Sequence, residues 1–122
     1  MDPSSTNSLR THDLVIWGAT GYTGRLVALA AAEQVGDRTW AIAGRSRDRL
    51  QALRNEVATA GGTPPEIVVA DLQDASSMRA MTGSTRVVLT TVGPYDLHGE
   101  PLIEACIATG THVADITGEV PW

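Results

Sequence analysis

The feature that most constrains this chain is the stretch Gly18-Ala19-Thr20-Gly21-Tyr22-Thr23-Gly24, which follows directly on the apolar run Leu14-Val15-Ile16-Trp17. A short buried strand runs into three glycines at every third position. A helix-forming segment, Arg25-Leu26-Val27-Ala28-Leu29-Ala30-Ala31-Ala32, then carries the chain away. Gly18 lets the backbone leave the strand sharply, Gly21 lets a pyrophosphate approach the main chain, and Gly24 lets the new helix pack close to the strand. The N–H groups of the first helical turn lack partners within the helix, so they face outward, where the helix dipole favours negative charge. The pattern is that of a dinucleotide cradle. Its spacing is GxxGxxG rather than GxGxxG, and a glycine-rich strand-to-helix turn without a ligand meets the same three positions.

The rest of the chain bears on that choice. Its 122 residues make one domain, long enough to bury roughly 65% of the surface its unfolded form exposes. The net charge of −5 argues against a nucleic-acid or anionic-membrane partner. Cys106 is the single cysteine, which excludes a disulfide framework and a cysteine-rich metal site and fits a reducing compartment. It reads as a small apolar residue on a buried helix face. All nine basic residues are arginine, so no lysine-based chemistry is available, including a Schiff base or a Tyr-x-x-x-Lys pair.

In chain order, residues 1–12 read as a flexible polar tail without the apolar core of a signal peptide. No later apolar run is long enough to span a bilayer, so a cytoplasmic protein is expected. Residues 13–122 form the folded domain. Strands are expected at about 13–17, 39–43, 66–70, 86–92 and 111–116. Helices are expected at about 22–35, from an N-cap at Ser46 to the break at Gly61-Gly62, at 75–81, and from Glu100-Pro101 to Gly110. Strands that alternate with helices and are mostly apolar on both faces imply an α/β fold. The expected architecture is a doubly wound parallel sheet of about five strands in the order 3-2-1-4-5. Ligands of such sheets sit beyond the carboxyl ends of the strands, at the switch point between strands one and four. The residues at those ends are Gly18, Gly44-Arg45-Ser46, Asp71-Leu72 and Thr91-Val92-Gly93-Pro94-Tyr95.

Each strand end suggests a role. About 20 residues beyond the glycines, where an acid would bind the ribose 2′-OH of NAD, the chain has Arg45 and Ser46 instead. A guanidinium can pair in bidentate fashion with a 2′-phosphate, and Ser46 adds a hydroxyl and an N–H, so the pattern points to NADP(H). The alternative is a solvated arginine beside Arg47 and Arg49. Asp71 can accept from the adenine amino group or cap the following helix. Thr91, Val92, Gly93 and Pro94 lie where a nicotinamide ribose or pyrophosphate would pass, or form a plain strand-ending turn. Tyr95, Asp96 and His98 fall on the loop beyond, where a surface histidine is the simpler reading than a proton donor. His12 and His112 have neither an acidic partner nor ligand spacing in sequence. Asp115 and Glu119 stand at the end of strand five as contacts to the remainder of a site.

The blocks VIWGATGYTGRLVA, AGRS, VADLQD, VVLTTVGPYDLHGEPLIEAC and GTHVADITGE, in that order, resemble the N-terminal region of saccharopine dehydrogenase-like oxidoreductases. The nearest variety is the mycobacterial-type trans-acting enoyl reductases. The resemblance covers about residues 13–122 and implies a Rossmann domain that uses NADPH. It matches Gly18, Ala19, Thr20, Gly21, Tyr22, Thr23, Gly24, Arg45 and Ser46 to the cofactor-binding blocks. It also implies hydride transfer from NADPH to the enoyl double bond of a polyketide-derived lipid precursor. Members of the family continue into a second α/β portion that shapes the substrate site and supports dimerisation. This chain stops at Trp122, so that domain is expected to be absent, and the small-molecule or lipid-like substrate would be met through it; a homodimer is among the expected partners. The chain alone is expected to bind cofactor with little turnover.

Two other readings compete: a non-catalytic NADP(H)-sensing module acting through a protein partner, and a non-binding remnant with an exposed pairing edge. Arg45→Asp separates them, because it weakens NADP(H) binding only where Arg45 serves the cofactor.

Overall fold

The computed structural model describes residues 10–91 and 95–115, with the backbone alone described over 95–99. Nine elements alternate: β1 (His12–Trp17), α1 (Tyr22–Gln34), β2 (Trp40–Gly44), α2 (Arg47–Thr59), β3 (Glu66–Val69), α3 (Ala75–Gly83), β4 (Thr85–Thr90), α4 (Tyr95–Thr109) and β5 (His112–Asp115). All strand pairs are parallel, in the order β3-β2-β1-β4-β5. The expected doubly wound topology is therefore the observed one, with β1 held between β2 and β4.

Side chains of successive strand residues point to opposite faces, and this splits the core in two. Ile16, Trp40 and Ile42 face α1 and α2, where Ala28, Ala32, Leu50, Leu53 and Val57 meet them. Val15, Trp17, Ala41 and Val88 face α3 and α4, against Met78, Met81, Leu102, Ala105 and Cys106. The small residues Ala41, Ala43, Ala28 and Ala32 let helices lie close to the sheet. The two edge strands depart from the expectation of apolar burial on both faces. Glu66 and Val69 of β3 are exposed, and so is every residue of β5, because an edge strand has neighbours on one side only.

Two boundaries differ from the sequence-based expectation. The last helix starts at Tyr95 rather than near Glu100, so Pro101 lies inside it. Proline favours a first helical position but also survives within a helix at the loss of one hydrogen bond. Here the burial of Leu102, Ala105 and Cys106 holds the segment in place. The folded part also begins earlier than expected, within the residues read as tail. His12 begins β1, and the Arg10 guanidinium donates to the carbonyls of Thr82, Thr85 and Thr109 and, at 2.8 Å, to the Thr111 hydroxyl. It thereby ties the entry of the sheet to the C-terminal ends of α3 and α4. Residues 1–9 and 116–122, including Glu119, lie outside the described residues. Among the described residues, no helix is long and apolar enough to cross a membrane.

Candidate cofactor site

The glycine turn is built by backbone geometry. Gly18 has φ 81°, a conformation that side chains disfavour, and it swings the chain out of β1. The N–H groups of Gly18 and Ala19 both donate to the Ala43 carbonyl, at 3.0 and 3.4 Å, which pins the loop to the end of β2. Gly21 then donates to the Gly18 carbonyl at 3.2 Å and serves as the N-cap of α1. A Cβ on Gly24 would lie 2.1 Å from the Gly18 oxygen, so only glycine lets α1 start this close to β1.

The start of α1 is open. Gly21 supplies no side-chain cap, and the first turn holds no acidic residue. Among the described residues, the N–H groups of Tyr22, Thr23 and Gly24 donate to nothing outside the helix. Helices α2 and α3 are capped instead, by Ser46 accepting from the Arg49 N–H and by Asp74 accepting from the Ser77 N–H. A Cβ placed on Gly21 would meet only the Gly18 oxygen, at 3.5 Å, and would otherwise project into open space beside the free N–H groups. The loop thus has the shape that a pyrophosphate lying against the main chain requires.

Beside the loop lies a groove of about 470 Å³ lined by Thr20, Arg45, Ser46 and Arg49. Thr20 and Arg49 also line an adjoining groove of about 310 Å³, with Arg25, Ala52, Leu53 and Glu56. Arg45, at the end of β2, is exposed and forms no ion pair among the described residues. Ser46 does what its sequence position promised as a cap, with its hydroxyl proton left to donate. Arg49 was hidden in sequence beside Arg45 and Arg47. Its signal was its place three residues past the cap, on the turn of α2 that adjoins Thr20.

Other expected positions acquire different partners. Asp71 does not cap α3, because Asp74 does. The Asp71 carboxylate accepts from the Gln73 N–H at 2.9 Å in a local turn. The Thr91 hydroxyl lies 3.0 Å from the carbonyl oxygens of both Trp17 and Gly18, and its N–H donates to Trp17 at 3.1 Å. Thr91 therefore clamps the ends of β4 and β1 beneath the glycine turn. Val92, Gly93 and Pro94 lie outside the described residues, as do the side chains of Tyr95, Asp96 and His98. His12, for which the sequence suggested no acidic partner, lies 3.1 Å from Glu66 through Nε2, at the amino end of the sheet and away from this site. His112 and Asp115 are exposed on β5. Cys106 is buried as expected, and burial pushes its thiol up to about 11.

A family profile described as the saccharopine dehydrogenase NADP-binding domain matches residues 14–120. A Mycobacterium tuberculosis relative is 45% identical over 114 residues, which is 93% of this chain and 27% of the relative. The trans-acting enoyl reductase of Mycobacterium leprae is 44% identical over 111 residues, 91% of this chain and 26% of its own length. The chain thus spans about a quarter of the length of these relatives. Among solved structures, apo saccharopine dehydrogenase (L-Glu forming) from Saccharomyces cerevisiae superposes with a TM-score of 0.72 at 21% identity, over 90% of this chain and 22% of that one. The complex of leucoanthocyanidin reductase with NADPH from Vitis vinifera superposes with a TM-score of 0.63 at 24% identity, over 82% and 33%. These two likenesses are of fold.

Proposed function

This chain belongs to the saccharopine dehydrogenase NADP-binding domain family, and on that premise we propose that residues 13–122 hold NADP(H) across the carboxyl ends of β1 and β2. The observation that carries this reading is the uncapped, acid-free start of α1 beside a groove lined by two arginines. Gly18, Ala19, Thr20, Gly21, Tyr22, Thr23 and Gly24 form the pyrophosphate cradle, with the first N–H groups of α1 as donors. Arg45 pairs with the 2′-phosphate, and Ser46 adds its hydroxyl. Asp71 accepts from the adenine amino group, while Val92, Gly93 and Pro94 border the nicotinamide ribose. Thr91 acts through the loop it clamps.

When bound, NADPH supplies a hydride to an electron-poor carbon. Following the name of the mycobacterial relatives, the acceptor we propose is an enoyl double bond, and the family resemblance of the sequence suggests a polyketide or lipid precursor as its carrier. The substrate site and any homodimer belong to the portion of the relatives that this chain does not match. The residues described here bind and orient the cofactor.

The test is calorimetric titration of the chain with NADPH and NADH in parallel, repeated on Arg45→Asp. NADPH is expected to bind well ahead of NADH, and Arg45→Asp to weaken NADPH roughly a hundredfold by exchanging a charge-assisted pair for repulsion. A folded chain that binds neither nucleotide sinks the reading.

A further inference from the structure

The groove beside Thr20 contains more positive charge than one arginine accounts for. Arg45 enters it from the end of β2, and Arg49 enters it from the first turn of α2. Neither guanidinium forms an ion pair among the described residues. Two carboxylates stand near enough in sequence to claim Arg49. Asp48 precedes it on the first turn of α2 and is exposed outside the groove lining. Glu56 shares the adjoining groove with Arg49, but Arg25 holds its carboxylate, through Nε at 2.9 Å and through Nη2. The hydrogen bond from Arg25 and its charge lower the Glu56 carboxyl from its ordinary value. Arg49 is thus left facing Thr20 and Ser46 with its charge uncompensated.

We infer that Arg49 is a second specificity-determining residue, meeting the 2′-phosphate of NADP(H) from the helix side while Arg45 meets it from the strand side. The inference rests on the cofactor reading above. A 2′-phosphate is close to a dianion at neutral pH and presents three acceptor oxygens. One guanidinium fork satisfies two of them, and a second cation supplies the remaining contact and charge. The Ser46 cap fixes where Arg49 starts, because its oxygen accepts from the Arg49 N–H at 3.3 Å. The cap and the second arginine are therefore set by one local structure. Arg25 is a positioning residue in this scheme, since it occupies the carboxylate that would otherwise neutralise Arg49.

The experiment is calorimetric titration of the full chain and of Arg49→Gln with NADPH and with NADH, with circular dichroism to confirm the fold. Arg49→Gln is expected to weaken NADPH about tenfold and leave NADH unchanged, the loss of one hydrogen-bonded charge. Arg49→Lys is expected to recover part of that loss, keeping the charge without the fork. If the unaltered chain binds NADPH and Arg49→Gln binds it equally well, the inference fails while the cofactor reading stands. An equal weakening of NADPH and NADH makes Arg49 merely structural and also overturns it. Failure of the unaltered chain to bind NADPH removes the cofactor reading itself.

Discussion

The carbonyl oxygen of Gly18 occupies the space that any side chain on Gly24 would need, since a Cβ there would come within 2.1 Å of it and 2.8 Å of the Ala19 Cα. Both obstacles are backbone, so neither can rotate aside. Gly24→Ala is expected to cost at least about 3 kcal/mol, or to prevent folding, because β1 and α1 must separate. Gly21→Ala meets only one atom, at 3.5 Å. It should fold, with a urea midpoint close to that of the parent, yet lose NADPH affinity. Urea unfolding and calorimetry on the two variants separate packing from ligand approach. Equal destabilisation of both would refute the distinction.

Arg10 predicts a purely structural effect. Its guanidinium meets the last carbonyls of α3 and α4, where the helix dipoles favour a cation, and also bonds Thr111. Arg10→Met is expected to lower stability by about 2–4 kcal/mol without altering cofactor selectivity. Chemical unfolding at constant slope measures the first, and the NADPH to NADH affinity ratio measures the second.

Thr91 offers a subtler case. Its hydroxyl serves the carbonyls of Trp17 and Gly18 rather than solvent. Thr91→Val keeps the shape and removes that donor. It is expected to cost about 1–2 kcal/mol and to loosen the glycine turn, so NADPH and NADH weaken together. Thr91→Ser should retain both properties. Selective loss of NADPH in Thr91→Val would contradict the clamp.

Cys106 makes the fold sensitive to alkaline pH. Burial raises its thiol from 9.0 to about 11, against a smaller opposing influence of Arg10. The unfolded thiol therefore ionises first. The associated stability is intact below pH 9 and is lost as pH climbs from there towards about 11. The urea midpoint should fall between pH 8 and pH 10.5, and by less in Cys106→Ala. Identical pH profiles for the two proteins would count against the buried thiol.

Much of this was legible in the sequence because it is local. Strand and helix alternation forces the parallel sheet. The three glycines mark the turn, and Ser46 announces the cap of α2. What escaped depends on residues far apart in the chain. Glu66 reaches His12 across 54 positions, and Arg10 reaches the end of α4 across about 100. Pro101 misled for a different reason. Its preference for a first turn is a local signal, and burial of the next apolar residues overrode it. Asp71 and Asp74 show the same ambiguity at short range. Either acid could cap α3 by composition, and only the fold selects Asp74. Arg49 needed the third dimension, because its freedom depends on Arg25 having taken Glu56 from another helix.

The division of the core by the sheet leaves one described tryptophan on each side. Trp17 lies in the α3–α4 layer, 4% exposed and with no hydrogen-bond partner for its indole N–H among the described residues. Trp40 lies in the α1–α2 layer and donates to the Thr63 carbonyl at 3.0 Å. An indole without a hydrogen bond in apolar surroundings emits to the blue of one that has a carbonyl partner. Of these two, Trp17 therefore reports the α3–α4 layer at the shorter wavelength and Trp40 the α1–α2 layer at the longer one.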